Sequence, residues 1–430
     1  MKIETSSQQY TGNMVTNSKT PLAIVGMSCR FPNDATSPER LWQLCAEVKN
    51  TWSHWPADRL NEETWYHPRP EHLGTVMTVK QAMDPQVRLL LETAFEAFES
   101  AGLSMEAIAG SKTSVFTGAI FHDYNDVIMA DVDNLPRYAS TGNGPTMIAN
   151  RISHFFDLRG TSVSVDTACS TAMAALHLAC QSIRSGDSEM AVVGGTNLLL
   201  HPGSSIGLST LGFLSPSGKS YSFDDRAEGY GRGEGVGCLI IKPLEAALRD
   251  NNPIRAIVRE TAMNEDGRTP AISAPSQQAQ EDLIRTCYQQ AGLDPRDTPV
   301  VEAHGTGTRT GDATEARAIG NVFGRNRRDD GERVIVGSLK ANIGHGESAS
   351  GIAAVIKAVL MLEKGLIPPL AMFDKPNTEI DFQGLGIQLA TEALPWPENR
   401  ARRVSVCNFG VGGSNTHAII EDARLDFTQQ

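Results

Sequence analysis

The chain is predicted to be an α/β protein with buried sheets, on two observations. Short β-branched runs alternate with helical patterns along its whole length, and the second half repeats the grammar of the first without a clear sequence repeat. A hydrophobic content of 40% and a charged content of 20% over 430 residues suit a globular chain with one large core or two fused halves.

In order, residues 1–20 are rich in Ser, Thr, Gln and Asn and read as a disordered leader. A strand over 22–26 ends in glycine, and a helix over 38–45 follows with Ser37 as its N-cap. Residues 51–73 read as loop. Leu89, Leu90, Ala94, Phe95 and Phe98 recur at helical spacing, so 84–101 is a helix that Gly102 stops. A strand over 114–118, a helix over 146–156, a strand over 162–165, a buried helix over 170–183 and a strand over 190–194 complete the first half. The second half has strands over 254–259, 300–303, 334–337 and 404–408, a helix over 279–292 with a glycine stop, and an apolar helix over 351–363.

The net charge of −12 argues against nucleic acid as a bulk partner. Seven cysteines, an odd number without paired spacing, point to free thiols in a reducing compartment, and no cluster has metal-ligand spacing. The N-terminus lacks an apolar signal core and no apolar run is long enough to span a bilayer, so a soluble, cytoplasmic protein is expected.

Chemistry concentrates where strands end. The run Ser162–Leu176 joins a strand, a turn over 166–169 and a buried helix, which delivers Cys169 to a helix start. Unpaired N–H groups and the partial positive charge there favour a thiolate, the nucleophilic form. Taken alone, Cys169 reads more readily as a small, inert buried hydrophobe, and it is the rest of the chain that raises the nucleophile reading. Three other strand ends present polar residues: Glu-Ala-His-Gly-Thr-Gly-Thr from Glu302, with His304; Ser-Leu-Lys-Ala-Asn-Ile-Gly-His-Gly-Glu from Ser338, with Lys340 and His345; and the glycine-rich Asn408–His417, able to aim N–H groups at an oxyanion. Gly-Lys-Ser at 218–220 fails as a phosphate loop because Phe213 stands where a glycine is needed. The run 229–235 misses the dinucleotide spacing and reads as a structural loop with an Arg–Glu contact. His177 reads as packing, and His417 and Asn415 as ordering the last loop.

Together these motifs resemble the β-ketoacyl synthase (ketosynthase) domain of polyketide and fatty acid synthases over roughly residues 21–421. Phe121-His122-Asp123-Tyr124 and Asn150–Phe156 look most like the iterative reducing synthases of fungi. The resemblance implies a thiolase-like fold of two similar halves in α-β-α-β-α layers, divided at 21–260 and 261–422, with a tail over 423–430. It implies decarboxylative Claisen condensation of an acyl-Cys with a malonyl thioester. Cys169 is then the nucleophile, His304 and His345 hold the malonyl carbonyl, and Lys340 supports them. The N–H groups of Cys169 and Phe409 form an oxyanion hole, and Thr306, Thr308, Asn342 and Gly410 bind substrate. It also implies no cofactor of its own, substrates carried on the phosphopantetheine of an acyl carrier protein, and a homodimer.

The sequence departs from the family pattern between Lys80 and Gln81, where a couple of dozen residues with a Phe-Asp-x-x-Phe-Phe element are expected, and at Gly346, where Thr is usual. Two rivals follow. One is an impaired remnant acting only as an interaction module. The other is a degradative thiolase, whose second cysteine would sit in the C-terminal glycine loop, whereas Cys407 precedes that loop.

Overall fold

The computed structural model describes residues 20–53, 83–136, 138–325 and 332–423. The expected leader through residue 19, the loop beyond 53, the 80/81 junction and the tail from 424 lie outside the described residues.

The strands are β1 (Leu22–Arg30), β2 (Thr113–Gly118), β3 (Ser162–Val165), β4 (Met190–Asn197), β5 (Gly235–Pro243), β6 (Ala256–Glu265), β7 (Val300–Glu302), β8 (Val334–Gly337), β9 (Leu366–Ile367), β10 (Ile387–Leu389), β11 (Leu394–Pro395), β12 (Arg403–Phe409) and β13 (Ser414–Glu421). Eleven of them form one sheet in the order β10-β8-β7-β12-β13-β6-β1-β5-β4-β2-β3. The sheet is a duplication. From its centre outward the first half runs β1-β5-β4-β2-β3 and the second β6-β13-β12-β7-β8, so each half places its first, fifth, fourth, second and third strands in that order. In each half the three outer strands are parallel and the fifth is antiparallel to its neighbours. The halves meet where β1 pairs antiparallel with β6, Leu22 opposite Val258.

Helices cover both faces of each half. Thr171–Arg184 and Ser350–Lys364 pack on each other and on strands of both halves, forming the middle layer. Their apolar side chains belong to one core with Leu239, Val404 and Ile420 from the sheet. Every residue from Ser350 to Leu362 is buried, as expected of a helix apolar nearly all round. Its one buried charge, Lys357, pairs with Glu302 of β7 at 2.6 Å, and these side chains are 4% and 1% exposed.

The helices Pro85–Ser100 and Met147–Phe156 form the outer layer of the first half, joined by Phe98 against Phe156 with centroids 5.1 Å apart. Asp84 caps the first by accepting the Gln86 N–H at 2.8 Å. Gly26 of β1 lets that helix sit close, since a Cβ there would lie 2.1 Å from the Ala97 carbonyl. Gln277–Ala291 and Arg309–Ile319 cover the second half, the former stopped by Gly292 in the left-handed conformation. The result is the α-β-α-β-α layering expected. Ser37 caps the helix Pro38–Ala46, accepting from Arg40. Among the described residues no helix is long and apolar enough to cross a membrane.

The sequence reading left several elements unplaced, among them the helices Asp123–Met129, Pro202–Thr210 and Leu244–Arg249, and for three others the reason is visible. β5 begins with two glycines in three residues, which hid its start. β13 begins inside the glycine-rich 408–417 turn. The helix Arg309–Ile319 carries Gly311 and six polar or charged residues among eleven, so its apolar stripe is thin.

Candidate active site

The residues that matter leave the carboxyl ends of β3, β7, β8 and β12, the usual place for function in α/β sheets. After β3 the chain turns sharply. Ala168 adopts φ +53°, uncommon for a residue with a Cβ. Four hydrogen bonds hold it there. Asp166 Oδ1 accepts the Ala168 N–H at 2.9 Å, and Thr171 Oγ1 accepts the Thr167 N–H at 2.9 Å. Ser170 Oγ donates to the Thr167 carbonyl at 2.7 Å, and Thr171 Oγ1 to the Ala168 carbonyl at 2.6 Å. The C-terminal loop closes over this elbow at Gly410, where a Cβ would lie 2.4 Å from the Thr167 carbonyl and 2.9 Å from Ser170 Oγ.

Cys169 is thereby buried at the floor of a cavity of about 720 Å³. Its sulfur faces the backbone N–H groups of Val411 and of Cys169 itself. Burial, reinforced by the Glu347 carboxylate, outweighs them and pushes the thiol up to about 12. The expectation of a thiolate from the helix start is therefore corrected: desolvation dominates and the resting group is a thiol.

His304 follows β7 on a loop clamped by two buried carboxylates of the helix Arg309–Ile319. Glu315 accepts the N–H groups of His304 and Gly305 at 2.7 and 2.8 Å, and Asp312 those of Gly307 and Phe223 at 3.1 and 2.7 Å. Burial pushes Asp312 up to about 7, and Glu315 is raised likewise. The Asn408 side-chain N–H donates to His304 Nδ1 at 3.1 Å. His345 is fixed by backbone pairing with Gly231 and Gly233, and its Nδ1 accepts the Glu347 N–H at 2.8 Å. With both Nδ1 atoms accepting, both protons sit on Nε2. Among the described residues His345 Nε2 has no hydrogen-bond partner, and the two rings stand edge to face with centroids 5.5 Å apart. Burial first, then the Lys340 charge, hold both imidazoles neutral. Lys340 is itself buried and pulled down by desolvation, opposed by Glu315 and Glu302.

The structure thus brings Cys169, His304 and His345 to one cavity, with Thr306, Thr308 and Gly410 on its wall. Lys340 lies outside the wall and acts through its charge. Two expectations change. Asn342 does not reach the cavity: its side chain donates to the Lys49 carbonyl at 2.8 Å and its own carbonyl accepts Thr51, so it ties down the segment after the first helix. The second N–H at the sulfur is that of Val411 instead of Phe409, because Gly410 pairs with Ser414 and turns the following peptide toward Cys169. Phe409 instead packs its ring 5.8 Å from His304. The Arg–Glu contact expected in the 229–235 loop forms with a different glutamate: Arg232 Nε lies 3.4 Å from Glu347 Oε1.

Glu347 was missed. It is buried, its Oε2 lies 3.9 Å from Cys169 Sγ, and its backbone holds φ +45°. The available signal was its place two residues after His345. His177 pairs with Thr261, His417 with Cys407, and Asn415 with Asp266 and Asn264, in keeping with structural roles.

The sheet duplication and the single cavity that Cys169, His304 and His345 share define the thiolase-like fold class. The chain belongs to the β-ketoacyl synthase family: the sequence models for its N-terminal and C-terminal domains match residues 19–247 and 255–374, and that for the ketoacyl-synthetase C-terminal extension matches 376–429. It is 52% identical to the highly reducing polyketide synthase poxF of Penicillium oxalicum over 93% of this chain and 17% of that one. It is 52% identical to the compactin diketide synthase mlcB of Penicillium citrinum over 95% of this chain and 17% of that protein. The chain therefore spans about one-sixth of the length of these relatives. Among solved structures, the ketosynthase from module 6 of the bacillaene synthase of Bacillus subtilis 168 superposes with a TM-score of 0.84 at 33% identity, covering 94% of this chain and 72% of that one.

Proposed function

We propose that the chain catalyses decarboxylative Claisen condensation as the ketosynthase part of a highly reducing polyketide synthase. Cys169 takes an acyl group from a carrier thioester, forming a thioester at Sγ. A malonyl thioester then enters, and its carbonyl oxygen receives the Nε2–H groups of His304 and His345. Loss of CO₂ leaves an enolate whose charge grows on that oxygen, where two fixed neutral donors stabilise it. The enolate carbon attacks the acyl carbon, the new carbon–carbon bond forms and Sγ departs, giving a 3-oxoacyl product. During both carbonyl additions at Sγ the oxyanion meets the N–H groups of Cys169 and Val411.

The observation carrying this reading is the shared tautomer of two neutral imidazoles beside a buried thiol. A pair of donors suits a developing oxyanion, and a pair of general bases would need free lone pairs facing the cavity. On this reading the partners are an acyl carrier protein with its phosphopantetheine arm and a second copy of the chain, and the setting is cytoplasmic. The open edge at β3, with Val163 and Phe155 exposed, supports pairing between copies. Incubation with an acyl-pantetheine thioester should add one acyl mass to the peptide containing Cys169 and none to a Cys169→Ala variant. A folded protein that never acylates would refute the proposal.

A further inference from the structure

We propose that Glu347 accepts the proton of the Cys169 thiol during acylation and returns it to the departing pantetheine sulfur. The proposal rests on the condensing reading above and adds a catalytic residue to it. A neutral thiol that attacks a carbonyl must pass its proton to a lone pair within reach. The imidazoles do not offer one, because each Nδ1 is already accepting, from Glu347 N–H and from Asn408, and each Nε2 carries the proton. Lys340 and Arg232 have no acceptor. The carboxylate of Glu347 has one. Its Oε2 lies 3.9 Å from Sγ, and one donor atom each from Cys169, His345 and Glu347 lie within 4.8 Å of one another.

The carboxylate has a neighbour at each oxygen. Arg232 stands 3.4 Å from Oε1 and the Cys169 thiol 3.9 Å from Oε2, while the Tyr230 ring beside them packs on His345 with centroids 4.8 Å apart. The groups facing it are thus Cys169, Tyr230, Arg232 and His345. The φ of +45° at Glu347 is a conformation that a side-chain-bearing residue keeps only when its surroundings fix it, and here it lets one residue hold the His345 tautomer with its N–H and the thiol with its carboxylate. In the step, the Sγ–acyl carbon bond forms as the S–H proton moves to Oε2. The acyl carbon–pantetheine sulfur bond then breaks and that sulfur takes the proton from Oε2, so the site ends as it began.

Acylation of the full chain by an acyl-pantetheine thioester, followed by mass spectrometry on Cys169 across pH, tests this. The wild-type rate should level off once the carboxyl is ionised and stay flat into the alkaline range. Glu347→Gln should acylate about 10²–10⁴-fold more slowly and gain about tenfold per pH unit, as hydroxide must then remove the proton. A Glu347→Gln variant with the wild-type rate and profile overturns the assignment. So does a wild-type rate that climbs tenfold per unit through the alkaline range, a result that needs no variant. Wild-type protein that acylates and releases CO₂ from a malonyl thioester while failing these tests leaves the condensing reading intact. Wild-type protein that does neither overturns both.

Discussion

Asn408→Asp is the sharpest probe of the imidazole pair. The Asn408 amide donates to His304 Nδ1 at 3.1 Å, which places the ring proton on Nε2. An aspartate has no N–H to give. To pair with it, His304 must move its proton to Nδ1, and Nε2 then meets the cavity with a lone pair. The carboxylate also draws His304 toward its protonated form, which the Lys340 charge and burial oppose. One of two donors to the developing oxyanion is lost, which costs about 10²–10³ in rate, or about 2.7–4 kcal/mol. The assay is single-turnover CO₂ release from a malonyl-pantetheine thioester, with Cys169 acylation followed in parallel. Decarboxylation should collapse while acylation falls far less. Wild-type CO₂ release by the variant, or equal losses in both steps, would refute the tautomer argument.

Three further outcomes follow from the packing. Lys357→Met leaves Glu302 buried with Leu339 N–H as its remaining partner, and should cost about 3–5 kcal/mol in denaturant melts, much of it recovered in the Glu302→Gln/Lys357→Met double variant. Gly410→Ala drives a Cβ into the Thr167 carbonyl and should cost about 1–3 kcal/mol while slowing alkylation of Cys169 by iodoacetamide. His417 is held neutral by burial, its pKa taken down to about 3 against about 6.5 unfolded, so its contribution is intact above the unfolded value and lost as pH falls toward 3. His417→Phe should therefore lessen the acid-side loss of stability by about 1.4 kcal/mol per pH unit, read from melts at pH about 6 and about 5.

Much of the site was legible because chemistry and turn coincide in the sequence. Cys169, His304 and His345 each follow a β-branched strand within a run of small residues, so strand and functional residue announce each other. What stayed hidden depends on tertiary contact. The thiol's raised pKa comes from burial and from Glu347, 178 positions away along the chain. The N–H at the sulfur is set by the Gly410–Ser414 pairing, which shifts it past Phe409 to Val411. Asn342 sits in the same motif as Lys340 and His345 but faces the other way, toward Lys49. The sheet duplication was visible only as repeated grammar, because equivalent strands share order and direction in the sheet without a clear sequence repeat.

The most direct test of the central claim follows the carbon. Protein preloaded with an acyl group on Cys169 is mixed with a malonyl-pantetheine thioester carrying ¹³C in its free carboxyl group. The account predicts labelled CO₂ released in step with a 3-oxoacyl product two carbons longer than the loaded chain, and neither from a His304→Ala/His345→Ala variant that still acylates. Product formation by that double variant at the wild-type rate would contradict it.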